Sequence, residues 1–209
     1  MKNTIASFIL LFALASCGDS KQHAQKIDTI KTDAVVSSNV PPEPGSEDDI
    51  ATRIDTTKLL KEYSAKHIFS NLTDKDVFTL RVYGDSLLTS KGLLEVKNSK
   101  GDLLYQYRFT TIDLLIDPDS ISASEQTTQI NGIFKHYFDE DNFESPAISD
   151  KQTFEDAFPN FNEADRADWL KVKADKQAVV FRHREGYEGL IGIAYSKVRK
   201  KAMMVSYSD

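Results

Sequence analysis

Residues 77–109 read VFTLRVYGDSLLTSKGLLEVKNSKGDLLYQYRF, and this stretch decides the fold class. Phe78, Leu80 and Val82 alternate with Thr79 and Arg81, the period of two that gives a strand one face for a core and one for solvent. Residues 93–97 alternate again, and residues 103–109 follow the turn-forming run Asn98-Ser99-Lys100-Gly101-Asp102. Consecutive strands separated only by turns make an antiparallel meander, whereas a parallel sheet needs a helical crossover between strands.

Upstream of the meander, residues 57–69 are expected to form a helix. Downstream, the period changes. Ser122 and Glu125 have the spacing of a capping box. Ile130, Ile133, Phe134, Tyr137 and Phe138 then recur at the spacing of one helical stripe. Two shorter helices are expected over 150–158, with Phe154, Ala157 and Phe158 on one side, and over 162–173, with Trp169 and Leu170. Strand patterning returns at 178–182, 187–195 and 202–207, broken by Arg184-Glu185-Gly186 and by the basic Lys197-Val198-Arg199-Lys200-Lys201. The sum is α+β: a mostly antiparallel sheet built from two three-stranded meanders, covered on one face by central helices, in one domain over 54–209.

Residues 18–53 contain no aromatic residue and are rich in Ser, Asp, Lys, Gln and Pro, including Pro41-Pro42-Glu43-Pro44-Gly45. Such a segment buries too little apolar surface to offset the entropy of ordering it, so 17–53 is expected to be a disordered tether. Before it, Lys2 supplies a positive charge and residues 5–14 form an apolar run of signal-peptide length. At about 1.5 Å per residue that run spans only about half of a ~30 Å hydrocarbon layer.

The run leads to Leu14-Ala15-Ser16-Cys17, which resembles the lipobox of bacterial lipoproteins. The resemblance covers these four positions and implies a signal peptide over 1–16, cleavage before Cys17 and acyl chains on that cysteine. Two or more chains anchor stably, since each buried methylene contributes about 0.8 kcal/mol. Gly18 in place of an aspartate is similar to lipoproteins forwarded to the outer membrane. The domain pattern, with its C-terminal Ile193-Ala194-Tyr195-Ser196 strand, also resembles small lipoproteins of Gram-negative bacteria, a likeness that implies no particular activity.

Charge and cysteine content narrow the partners. The formal charge is −6, and removal of residues 1–16 takes away Lys2 alone, leaving −7. An acidic surface argues against nucleic acid as a partner. Cys17 is the single cysteine, so its acylation leaves no thiol for a disulfide, thiolate catalysis or a Cys-bound metal.

Tyr83-Gly84-Asp85-Ser86-Leu87 resembles the first block of the GDSL (SGNH) esterases, which implies Ser86 as a nucleophile. That family also carries a Gly-x-Asn-Asp block and a late Asp-x-x-His block. Here Asn131-Gly132 has neither the order nor the acid, and Ile133 and Val180 stand three residues before His136 and His183. A serine hydroxyl needs a base within reach and donors for the oxyanion. The turn reading accounts for the same residues, because Gly tolerates positive φ while Asp and Ser bond their own backbone.

The remaining candidates are single residues. His23, His67, His136 and His183 are not paired at metal-ligand spacing. Asp139-Glu140-Asp141-Asn142 with Glu144 lacks the glycine and distant glutamate of a calcium loop. The basic turn 197–201 suits either a polyanion or the charged end of a hairpin. No catalytic, metal or cofactor site is expected, and Cys17 is the one assigned site. Two functions follow: a non-enzymatic envelope lipoprotein that binds an envelope protein or component, for instance as an immunity or inhibitor protein, or a small envelope hydrolase using Ser86 or the Asp139/Asp141 pair.

Overall fold

The computed structural model describes residues 54–157 and 163–208. The expected signal peptide, Cys17, the tether over 17–53 and His23 lie outside the described residues.

The α+β class holds, with a strand more in each half than the sequence suggests. The first sheet runs in chain order: β1 (Leu59–Ile68), β2 (Lys75–Tyr83), β3 (Lys91–Lys97) and β4 (Leu103–Thr110), all antiparallel. The helix expected over 57–69 is therefore strand β1. Its burial alternates, with Lys61, Tyr63, Ala65 and His67 half-buried and Glu62, Ser64 and Lys66 exposed. Only two of the four inward residues are apolar, which hides the period of two. As an edge strand it is held mainly by its ladder to β2, from Leu59 opposite Tyr83 to Ile68 opposite Lys75.

Helix α1 (Ala123–Lys135) starts where expected. The Ser122 hydroxyl accepts from the Glu125 amide, and the Glu125 carboxylate accepts from the Ser122 amide at 2.9 Å. Strand β5 (Phe143–Glu144) is too short to show a period and was not expected. Helix α2 covers Phe154–Ala157, starting later than the expected position 150, and α3 covers Glu163–Ala174, while Phe158 and Asn162 of the two expected helices lie outside the described residues. The second sheet is completed by β6 (Val180–Glu185), β7 (Gly189–Ser196) and β8 (Lys201–Ser208), again antiparallel in chain order.

The helices do not share one face of one sheet, as the sequence suggested. Phe181, Ile191 and Ile193 of the second sheet join Phe78, Leu80, Val82, Leu94 and Val96 of the first, together with Ile130 and Phe134 of α1. Val180, Ala194, Met203 and Val205 turn the other way and are covered by Phe154, Ala157, Trp169 and Val172 of α2 and α3. Both faces of β7 are apolar, so the second sheet needs cover on both sides. Trp169 fixes the outer cover: its indole N–H donates to the Val205 carbonyl at 2.9 Å.

Cross-strand geometry sets one glycine. Gly92 lies opposite Phe109, and a Cβ on it would stand 2.1 Å from the ring's Cζ. The bare backbone at Gly92 lets the Phe109 ring lie across β3 and reach the core.

Candidate functional site

A cleft of about 540 Å³ lies between the C-terminal end of α1 and the β6–β7 hairpin. Its size falls in the ordinary range for small-molecule sites, about 300–1,000 Å³. From α1 and the segment after it come Gly132, Ile133, His136, Tyr137 and Asn142. From the hairpin come Arg182, His183, Arg184, Glu188 and Leu190.

His183 forms the buried floor. It is 3% exposed, because its alternation along β6 matches Phe181 on the core side. Its Nδ1 lies 3.1 Å from the Arg184 carbonyl and its Nε2 2.9 Å from the Tyr105 hydroxyl. A carbonyl only accepts, so Nδ1 carries the proton and Nε2 accepts from Tyr105. Burial drives the His183 pKa down to about 4, against a weaker opposing effect of the Arg184 carbonyl, so the ring is neutral. Burial also raises the Tyr105 and Tyr107 phenols, and both stay protonated.

Tyr137 lies on the apolar stripe of α1, one position past its C-cap. The residue is buried, and its hydroxyl has no hydrogen-bond partner among the described residues. A buried polar group left unpaired costs about 1–3 kcal/mol. Burial pushes its phenol well above the ordinary value. Tyr107 and Tyr105 push the same way, and the Arg184 charge opposes them.

The charged rim is unevenly paired. Arg182 meets Glu144 at 2.7 Å. Arg184 is exposed, donates to the Tyr187 carbonyl at 3.2 Å, and has no carboxylate partner among the described residues. His136 Nδ1 is 2.7 Å from the Asp139 carboxylate, and Asn142 spends its amide N–H groups on the His136 and Tyr137 carbonyls.

The residues singled out in the sequence are scattered. Ser86 is exposed at the start of a 3-10 turn, and its hydroxyl pairs with the Thr89 hydroxyl at 3.1 Å. Gly84 has φ +148° and donates its N–H to the Lys58 carbonyl at 2.9 Å. Asp85 meets Lys58 at 2.9 Å. Below them Ser90 and Thr111 both bond the Leu87 carbonyl. His136 and His183 line the cleft and keep other partners than Ser86. Asp139 goes to His136, whereas Glu140 approaches His67 at 3.7 Å, so the acidic run is divided between two histidines. No three of His, Cys, Asp and Glu converge as metal ligands among the described residues.

The basic turn is engaged within the domain. Lys197 pairs with Asp175 at 2.6 Å, and Arg199 with Asp165 and Asp168 at 2.6 and 2.8 Å, which ties the β7–β8 hairpin to α3. Tyr105, Tyr137 and Arg184 were missed as site residues. The one available signal was tyrosine, not phenylalanine, at a stripe position on α1. No family model, curated protein or solved structure matches this chain.

Proposed function

We propose that the chain is an envelope lipoprotein, anchored through Cys17 and directed to the outer membrane, whose domain is a non-enzymatic binding module. The cleft is its recognition site. The observation that carries this reading is the cleft's lining: it offers histidine, tyrosine, arginine, asparagine and glutamate side chains, and no serine, threonine or cysteine. It is furnished for holding a ligand, and its lining has no serine, threonine or cysteine to serve as a nucleophile. The Ser86 hydroxyl is spent on Thr89 instead of a base. An excess of acid over base, −6 in formal charge, suits a basic macromolecular partner such as a toxin or lytic enzyme held in check.

A photo-crosslinking residue at position 132 tests the reading in intact cells. Gly132 lines the cleft, and a Cβ there meets nothing within 4 Å. Leu170, exposed on α3, is the control position. A partner captured from position 132 and not from 170 is expected. Equal capture at both positions, or none at 132, overturns the cleft as the recognition site. Incorporation of labelled fatty acid that persists in Cys17→Ala overturns the anchor.

A further inference from the structure

We propose that the free edge of β1 pairs with the same strand of a second copy of this chain, antiparallel about a two-fold axis through Ser64. The proposal concerns the rim of the first sheet and stands apart from the cleft's role as a recognition site.

Strand β1 is the outermost strand of its sheet, ten residues long, and pairs with β2 alone among the described strands. Its other edge presents a row of backbone N–H and C=O groups, a ready template for another strand. Proteins usually guard such an edge with proline, a bulge or charge. This strand contains no proline, and its register shift lies between Leu59 and Lys61, so Lys61–Ile68 forms an unbroken ladder. The guard is charge. Lys66 is exposed and has no carboxylate partner among the described residues. Glu62, exposed on the same face, meets Arg81 through Oε2 at 2.7 Å.

These two charges flank Ser64 symmetrically, so the guard admits its own image while opposing most other strands. Antiparallel edges oppose only residues whose backbone groups point the same way, so a two-fold axis has to pass through a residue. The axis through Ser64 sets Glu62 opposite Lys66 of the second copy, and Lys66 opposite its Glu62. Opposed residues share a face, and here it is the exposed one. On the other face Tyr63 comes opposite Ala65, a large side chain against a small one, twice over. Lys61 and His67 oppose each other there, but each is turned to a partner in its own chain, Asn131 and Phe143. Moving the axis to Tyr63 or Ala65 sets Lys66 opposite Leu60 or Ser64 and loses both charge pairs. Parallel pairing in register sets Glu62 against Glu62 and Lys66 against Lys66. The self-complementary arrangement joins the two four-stranded sheets into one of eight strands. A single strand pair buries less than a standard interface, so association depends on concentration and β1 stays open in the separate chain.

The test is disulfide trapping of the whole lipidated protein in detergent at low salt. Opposed Cα atoms in an antiparallel pair lie about 4.5–5.5 Å apart, within disulfide reach. Ser64→Cys should therefore form a covalent dimer under mild oxidation. Gln106→Cys, exposed on β4 of the same sheet, is the control, and any coupling through Cys17 is common to both. In the Ser64→Cys background, Lys66→Glu and Glu62→Lys each place like charges at both pairs and should cut the dimer about tenfold. Mixing these two variants, tagged to differ in mass, sets a carboxylate opposite an ammonium at both pairs again, and the mixed dimer should recover. Thermal unfolding of each variant checks that the domain stays folded. The proposal is overturned if Ser64→Cys couples no better than Gln106→Cys, or if the charge variants couple as their parent does, as parallel pairing would allow. It is also overturned if the mixed dimer fails to recover, or if Ser64→Cys in intact cells couples to a different protein and not to itself.

Discussion

The Tyr105 hydroxyl, on the last strand of the first sheet, donates to His183 Nε2 on the second sheet at 2.9 Å. One phenol and one neutral imidazole thus link the two sheets at the floor of the cleft.

That link makes stability sensitive to mild acid. An unfolded chain takes up a proton at His183 as pH falls through 6.5, whereas the folded protein does so only near about 4. The histidine's contribution is therefore complete above pH 6.5 and is lost as pH falls from 6.5 toward 4. A shift of this size corresponds to roughly 3 kcal/mol. His67 is shifted in the same direction, first by burial, and stays in both proteins when His183→Asn is the comparison. Urea midpoints measured from pH 7 to pH 4 should fall more steeply for the parent than for His183→Asn. Parallel curves would show that His183 is not buried as a neutral ring. The carboxylates whose pKa is held low, among them Glu125, Asp150, Asp168 and Asp175, are present in both proteins, so their losses at the acid end cancel in the comparison.

Phe134 is 1% exposed and lies among Tyr63, Phe109 and Tyr137, so it joins α1 to the first sheet. Phe134→Ala should destabilise the domain by about 3–5 kcal/mol, the range for emptying an aromatic site in a core. Thermal and denaturant unfolding read this directly, and a near-neutral result would contradict the packing of α1.

Gly92→Ala brings a methyl group against the Phe109 ring, which has to move. A loss of about 1–3 kcal/mol is expected, typical of overpacking. Phe109→Leu added to Gly92→Ala should recover part of it. Additive losses in the double variant would place the strain elsewhere.

Ser86 should be inert toward acyl chemistry. A fluorophosphonate probe should fail to label the protein stoichiometrically, and Ser86→Ala, at an exposed position, should change stability by no more than about 0.5 kcal/mol. Labelling at Ser86 together with an esterase activity lost in the alanine variant would restore the hydrolase reading.

The parts of the fold visible in the sequence are those where burial follows a strong period. Phe78, Leu80 and Val82 on β2, and Ile130, Phe134 and Tyr137 about α1, show their faces without help. Strand β1 was misread because an edge strand is held through its backbone, leaving Tyr63 and Ala65 as its only inward apolar residues. Strand β5 has two residues and no period to show. The division of the helices between two cores could not be seen, because alternation gives a strand's two faces without saying what covers each. The candidate site was hidden for a related reason. Tyr137 counts as a core aromatic and Arg184 as a turn residue until the chain brings both to the lining of one cleft, and only then does the unpaired hydroxyl become visible.

Strand β7 is flanked by β6 and β8 and is buried along nearly all its length, with cores on both faces. Its amide hydrogens are reachable by water only when the second sheet itself comes apart. Native-state hydrogen exchange should therefore find the β7 amides limited by global unfolding, while β1, paired on one side and exposed along its outer face, exchanges through local opening. The order of release would run from the sheet's rim inward, and the hairpin that carries His183 and Arg184 would be held by the strand that opens last.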